Sequence, residues 1–352
     1  MTDRPTWAQR MRASGLPRAE ARLLMERASG RRREWLIAHA DEPAEPAALA
    51  AFDRLAAARR AGEPIAYLLG EREFHGRRFE VGPAVLIPRP ETELLCDEAL
   101  AAAPASARVL DLGTGSGIIA ITLAAERPDL TVVATDLSPD ALAVARRNAA
   151  RLLRPGAGGA AAPRTDAPAS APAATRPAAP AIQWRIGDWW AAVAAGDTFD
   201  LIVSNPPYIA AADEHLRRGD LRFEPPAALT DGADGLAAIR VIVAGAAKRL
   251  RPGGWLLLEH GHDQAQAVSA LMQAAGFVDV RTRPDLSGLP RVTGGRRGHD
   301  GGPLGRRPAP QLPRGPSSCR PVRSTPACSR IDIYPSSTNA SRWMRKNSFR
   351  KR

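Results

Sequence analysis

Ser204-Asn205-Pro206-Pro207-Tyr208 follows the apolar run FDLIV. Two consecutive prolines restrict the local backbone. A backbone held that way sets the Asn205 side-chain oxygen and the Pro206 carbonyl at a defined separation. Both are acceptors, and a planar NH2 group carries two donors, so one amide or amino group fits between them. An amide nitrogen is a poor nucleophile because its lone pair is delocalised into the carbonyl. Two acceptors on its hydrogens raise the electron density on nitrogen and aim it at an electrophilic carbon. Tyr208 is placed to stack on the planar group. The motif alone reads equally as a turn, which Asn-Pro often marks. Its surroundings have to decide.

Asp111-Leu112-Gly113-Thr114-Gly115-Ser116-Gly117 lies between an apolar strand pattern and a helical one. Glycines let the backbone turn sharply and let a ligand lie against it. The spacing is GxGxG followed by Ile118, and Ala120 stands where a dinucleotide fingerprint has its third glycine. A nicotinamide fold needs its helix N-terminus for a pyrophosphate. S-adenosyl-L-methionine has no phosphate but carries an ammonium and a sulfonium, and Asp111 puts a carboxylate at the loop. Asp136 ends the run TVVATD, nineteen residues beyond Gly117. An acid there binds ribose hydroxyls, while Ser138 can cap the following helix. After the next strand, Asp188 can accept from an adenine amino group and Trp189 can cover the ring. Packing is the alternative for both Trp189 and Trp190.

These residues need a frame, and the chain supplies strands alternating with helices from residue 108 onward. RVLDLGTG, TVVATDLS, Ile182–Ile186, FDLIV and GGWLLLEHG read as strands, with FVDVRTRPDL closing the series. GIIAITLAAERP, PDALAVARRNAARLL, GLAAIRVIVAGAAKRL and AQAVSALMQAAG read as helices. That rhythm predicts a parallel α/β sheet. It places Asn205 at the carboxyl end of a strand, where open α/β sheets bind ligands. Residues 1–70 read as a small helical bundle broken at Pro43 and Pro46, with Leu23, Leu24, Leu36, Ile37, Leu49, Phe52, Leu55 and Ala56 as its apolar positions. Packing appendage and substrate-docking module are equally compatible with it. Residues 71–90 read as a β-hairpin linker, and 91–298 as the catalytic domain. The Ala/Pro/Gly-rich stretch 154–181 is expected to be a disordered insertion.

The net charge of +12 invites a nucleic-acid partner. Residues 299–352, however, hold twelve Lys and Arg against Asp300 and Asp332, so about +2 remains on the other 298 residues. Residues 299–352 are expected to be a disordered basic tail, foreign to the fold or an arm for an acidic partner. No apolar run approaches the roughly 18–20 residues of a membrane span. The N-terminal residues lack a secretory signal pattern. Cys96, Cys319 and Cys328 show neither metal-ligand spacing nor a disulfide framework. A reducing, cytoplasmic location, a monomer and no metal are the expectations. His260 and His262 read as loop residues, Cys96 as a buried helix position, and Glu259 as a support near its strand end. Arg89 and Glu91 are candidates to pair.

The combination of DLGTGSG and NPPY with LIPRPETE (86–93), FEPPAALTDGADGL (223–236), LLLEHG (256–261) and GLPRVTGGR (288–296) resembles the peptide-chain release factor glutamine N5-methyltransferases. The resemblance runs from about residue 15 to 297, apart from the insertion. It implies a Rossmann-like class I S-adenosylmethionine methyltransferase sheet with a small N-terminal helical domain. It implies that Gly113, Thr114, Gly115, Ser116, Gly117, Asp136, Trp189 and Asn205 contact the cofactor. It implies that Asn205, Pro206, Pro207 and Tyr208 hold the glutamine of the GGQ loop of release factors, and that the N-terminal helices help dock that partner. A ribosomal-protein glutamine methyltransferase is the second expectation. A nucleic-acid adenine N-methyltransferase is the third, with nucleic-acid binding by the basic tail incidental to the first reading.

Overall fold

A computed structural model describes residues 4–154 and 182–299. Nearly all of the predicted insertion and tail therefore lies outside the described residues. Five helices open the chain: α1 (Trp7–Ala13), α2 (Arg18–Ser29), α3 (Arg33–Ala38), α4 (Pro46–Arg60) and α5 (Ile65–Leu69). The sequence reading had marked one break. The chain also breaks around Gly15-Pro17, at Gly30 and around Gly62-Pro64, each a turn-forming signal. Thr6 and Gln9 form a reciprocal capping box at α1. Trp7, Leu24, Met25, Leu36, Phe52 and Ile65 pack into one core. Ile37, expected inside, is 62% exposed.

A short hairpin, β1 (Glu71–Phe74) and β2 (Arg77–Glu80), follows. It is shorter than the predicted linker, because Gly82 to Thr92 runs on without strand pairing. Next come α6 (Thr92–Ala102), β3 (Arg108–Leu112), α7 (Ile118–Glu126), β4 (Thr131–Asp136), α8 (Pro139–Leu152), β5 (Ile182–Ile186) and β6 (Phe199–Ser204). The rest is α9 (Pro226–Leu229), α10 (Ala237–Arg249), β7 (Leu250–Glu259), α11 (Ala265–Ala274), β8 (Phe277–Pro284) and β9 (Pro290–Arg297).

The seven strands lie in the order β5-β4-β3-β6-β7-β9-β8. The first five are parallel, whereas β9 is antiparallel to both β7 and β8. The sheet is thus mixed, and the expectation of a parallel sheet closed by FVDVRTRPDL needs correction. PRVTGGRR forms a further strand, which inserts between β7 and the edge strand β8. Its two glycines obscure it: Gly294 sits against the Leu257 side chain and Gly295 against Phe277 and Met272. A larger residue has no room at those crossings, so strand propensity was surrendered to packing.

Side chains alternate across the sheet with period two. Val109, Val132, Leu201, Val203 and Leu257 face α6 and α7. Leu110, Leu112, Val133, Ile202, Leu256 and Leu258 face α10 and α11. From β3 the chain winds to β4 and β5 on one side, while β6 and β7 lie on the other. The carboxyl ends of β3 and β6 therefore border the topological switch point, where such sheets bind ligands. Gly113 and Asn205 are the next residues after those two strands, and Ser204 Oγ donates to the Leu112 carbonyl at 2.6 Å to tie them together.

The helical region docks through specific bonds. Arg59 donates to Glu20 at 2.7 Å and to Asp220 at 3.1 Å, and Arg222 donates to the Ala61 carbonyl at 2.7 Å. Ala66 of α5 packs with Val81, Val85, Ile87, Ala141 and Val144.

Candidate active site

The glycine loop turns between β3 and α7 with Gly113, Gly115 and Gly117 all at positive φ, from 56° to 85°. A side chain at Gly117 would meet Ile121 and Ala145, so the loop lies close against α8. Asp111 faces the α7 side and is fully buried. Its Oδ2 accepts from Thr114 Oγ at 2.7 Å and from the Ala120 amide at 3.2 Å, and its Oδ1 has no hydrogen-bond partner. Asp111 thus braces the loop from beneath, where the sequence reading had expected a carboxylate turned toward the ligand. Asp136 closes the other side: Oδ2 accepts from the Gly115 amide at 2.8 Å and Oδ1 from the Ser138 amide at 2.9 Å. Ser138 caps α8 by accepting from the Ala141 amide, which leaves Asp136 at the loop.

Burial pushes the Asp111 carboxyl up to about 7 and raises that of Asp136, and each Asp111 charge also feels Asp136. Neither carboxylate forms a salt bridge among the described residues. Two carboxylates at one glycine loop without a cation suit a ligand that brings positive charge and no phosphate. The residues present therefore fit S-adenosyl-L-methionine: Asp136 stands at the loop, and the buried Asp111 adds negative charge beneath it. Leu137, 63% exposed, and Ile186, 59% exposed, flank this site at the ends of β4 and β5. The sequence reading missed both. Leu137 directly follows Asp136 and Ile186 ends β5 two residues before Asp188, positions that ordinary strand patterning hides.

The two tryptophans separate. Trp190 packs over Gly245 of α10 and donates to the Val241 carbonyl at 2.8 Å. Trp189 adopts a positive φ of 41° and brings its ring against Gly113. Asp188 precedes this turn and is exposed.

Asn205 follows β6, and its Nδ2 donates to Thr92 Oγ at 3.1 Å. Pro206 is buried, and Pro207 and Tyr208 are partly so. The Tyr208 carbonyl accepts from Gln264 Nε2 at 2.9 Å. It also lies 2.4 Å from where a Cβ would stand on Gly235, which has a φ of 80°. That close approach is why the DGADGL segment carries a glycine there. Asp231 holds the same segment by accepting from the Ala233, Gly235 and Ala237 amides.

Behind the motif, the Tyr208 hydroxyl lies 3.5 Å from Glu259 Oε1. Glu259 and Thr92 are both fully buried. Burial pushes Glu259 up to about 7, partly offset by hydrogen bonding from the Thr92 hydroxyl, and its Oε2 has no hydrogen-bond partner of good geometry. Burial likewise raises the Tyr208 hydroxyl, which stays protonated. His260 is buried, with one ring nitrogen 2.8 Å from Thr293 Oγ and the other 2.8 Å from the Gly261 carbonyl. It belongs to the core, not to an open loop. No cluster of His, Cys, Asp and Glu suited to a metal occurs among the described residues. Cys96 is buried on α6 as expected.

Two family models match separate parts of the chain. A PrmC N-terminal domain model matches residues 6–70, and a methyltransferase small domain model matches residues 90–156. A release factor glutamine methyltransferase of Bordetella pertussis is 52% identical over 283 residues, covering 80% of this chain and 95% of the relative. That of Burkholderia pseudomallei is 53% identical over 293 residues, covering 83% and 96%. That of Escherichia coli K12 is 42% identical over 287 residues, covering 81% and 94%. The chain belongs to the release factor glutamine methyltransferase family.

The segments that carried this resemblance meet at one place. Glu224 of FEPPAAL is buried and accepts from the Ile87 amide at 2.9 Å, and it pairs with Arg89 of LIPRPETE. The pairing of Arg89 with Glu91 considered from sequence is corrected: Arg89 reaches across to Glu224. Arg291 of GLPRVTGGR donates to Asp285, and its carbonyl accepts from the His260 amide of LLLEHG. In this release factor glutamine methyltransferase family member, separated motifs thus surround Asn205-Pro206-Pro207-Tyr208.

Proposed function

We propose that the chain transfers the methyl group of S-adenosyl-L-methionine to the side-chain amide nitrogen of a release-factor glutamine, in its GGQ loop. The observation that supports this reading is the placement of Asn205 at the switch point, beside a glycine loop that Asp136 holds from one side and the buried Asp111 from beneath. The names of the relatives supply the substrate class.

In this reading Gly113, Thr114, Gly115, Ser116 and Gly117 cradle the cofactor, Asp136 meets its ribose, and Asp188, Trp189, Leu137 and Ile186 border its adenine. S-adenosyl-L-methionine supplies an electrophilic methyl carbon whose bonding pair leaves with sulfur. Asn205 Oδ1 and the Pro206 carbonyl accept the two amide hydrogens. The acceptor nitrogen is thereby oriented and made more electron-rich as its lone pair forms the new N–C bond. One N–H proton is then lost to solvent. Pro206 and Pro207 hold the two acceptors without reorganisation, and Tyr208 covers the planar amide. The five N-terminal helices dock the protein substrate, and α4 reaches the 214–223 segment through Arg59 and Asp220.

Incubation of the full chain with methyl-labelled cofactor and either a release factor or total RNA tests the proposal. Label is expected on the release factor. Label on RNA with none on the release factor overturns the reading in favour of a nucleic-acid methyltransferase.

A further inference from the structure

A carboxamide has an oxygen end and a nitrogen end of nearly the same size, so hydrogen bonds and not shape choose its orientation. Only one orientation of Asn205 presents an acceptor to a substrate NH2. Asn205 Nδ2 donates to Thr92 Oγ at 3.1 Å, which leaves Oδ1 for the substrate. A threonine hydroxyl has one proton to give. With Thr92 accepting from Asn205, that proton needs another acceptor. The Glu259 carboxyl takes this part: it is fully buried beside the equally buried Thr92, whose hydroxyl hydrogen-bonds it, and its Oε1 lies 3.5 Å from the Tyr208 hydroxyl. Remove the carboxylate and the same proton can turn to Asn205 Oδ1. The carboxamide would then flip and oppose its own NH2 to the NH2 of the substrate.

Resting on the reading of Asn205 given above, we propose that Thr92 and Glu259 are positioning residues that lock the Asn205 carboxamide with its oxygen toward the acceptor amide. Thr92 is the first residue of α6 and Glu259 the last of β7. Sheet alternation puts Glu259 on the same face as Leu257, toward α6. The arrangement explains why segments so far apart as PRPETE and LLLEHG accompany NPPY. Neither Thr92 nor Glu259 needs to touch substrate or cofactor to act in this way.

The test uses the full chain, a release factor and S-adenosyl-L-methionine, with kcat, KM and cofactor affinity measured for each variant. Thr92→Val keeps the side-chain shape and removes the hydroxyl, whereas Thr92→Ser keeps the hydroxyl. Thr92→Val should lower kcat by about tenfold or more, with release-factor KM and cofactor affinity changed by less than about threefold. Thr92→Ser should stay within about threefold of the wild type. Glu259→Leu should lower kcat as Thr92→Val does, and the double variant should be no worse than either single one, since both cut the same chain. Equal kcat for Thr92→Val and Thr92→Ser, or additive losses in the double variant, overturns the inference while an active wild type leaves the proposed function standing. A wild type that never labels the release factor overturns both.

Discussion

Asn205 carries the largest burden of any single residue. Asn205→Ala removes one of two acceptors aimed at the reacting nitrogen. By analogy with loss of one preorganised hydrogen-bond partner, kcat should fall roughly 10²–10³-fold. Single-turnover methylation of a release factor measures this, and a loss below about fivefold would mean that Asn205 is only a turn residue. Asp111 makes a second prediction. Its folded-state pKa of about 7 lies above the ordinary aspartate value of 3.8 because burial disfavours the charge. The folded protein therefore holds this proton where the unfolded chain has released it, and Asp111 lowers stability as pH rises from about 4 toward 7. Relative to Asp111→Asn, the cofactor-free wild type should lose stability across that window in denaturant titrations. Since a cationic ligand favours the ionised carboxylate, cofactor affinity should rise with pH toward 8 in the wild type and flatten in Asp111→Asn. A flat wild-type affinity profile between pH 6 and 8 would contradict a ligand cation close enough to the loop to feel the buried Asp111 charge.

Elements hold these residues in place, and the clearest joint is Glu224 against the Ile87 amide and Arg89. It ties the approach to α6, and hence Thr92, to the segment before α9. Arg89→Ala leaves a buried carboxylate without its cation, which typically costs about 3–5 kcal/mol. Urea unfolding should show that loss, and a change below about 1 kcal/mol would mean that Glu224 is satisfied from elsewhere. Legibility follows the same line. Strands β3, β4 and β6, and the motifs at their ends, are local patterns, so the order of glycine loop, Asp136 and Asn205 was readable. Arg89 meets Glu224 across 135 residues, Thr92 meets Asn205 across 113 and Glu259 meets Tyr208 across 51, and no local period records such contacts. The strand β9 was hidden by glycines needed for close packing. The exposed Leu137 was hidden because periodicity describes what is buried and not which apolar residues stay exposed.

At the scale of the molecule, the helical region is fastened to the catalytic sheet by Arg59, Arg222 and the Ala66 packing cluster, which fits a docking role for a protein substrate. Among the described residues, no helix is long and apolar enough to cross a membrane. The excess positive charge sits in residues 300–352, with twelve Lys and Arg. Deleting them should leave cofactor affinity and release-factor methylation within about twofold, while retention on a polyanion column falls with the lost charge. A truncated chain that loses methylation would make that segment part of the substrate site. The central claim is that the acceptor is a glutamine amide nitrogen. The most direct measurement is tandem mass spectrometry of the release-factor peptide containing the GGQ sequence, after incubation with the chain and S-adenosyl-L-methionine. One added methyl group on that glutamine side chain, absent when Asn205→Ala replaces the wild type, is the predicted result. An unmodified glutamine, or a methyl group on any other residue, would contradict the account.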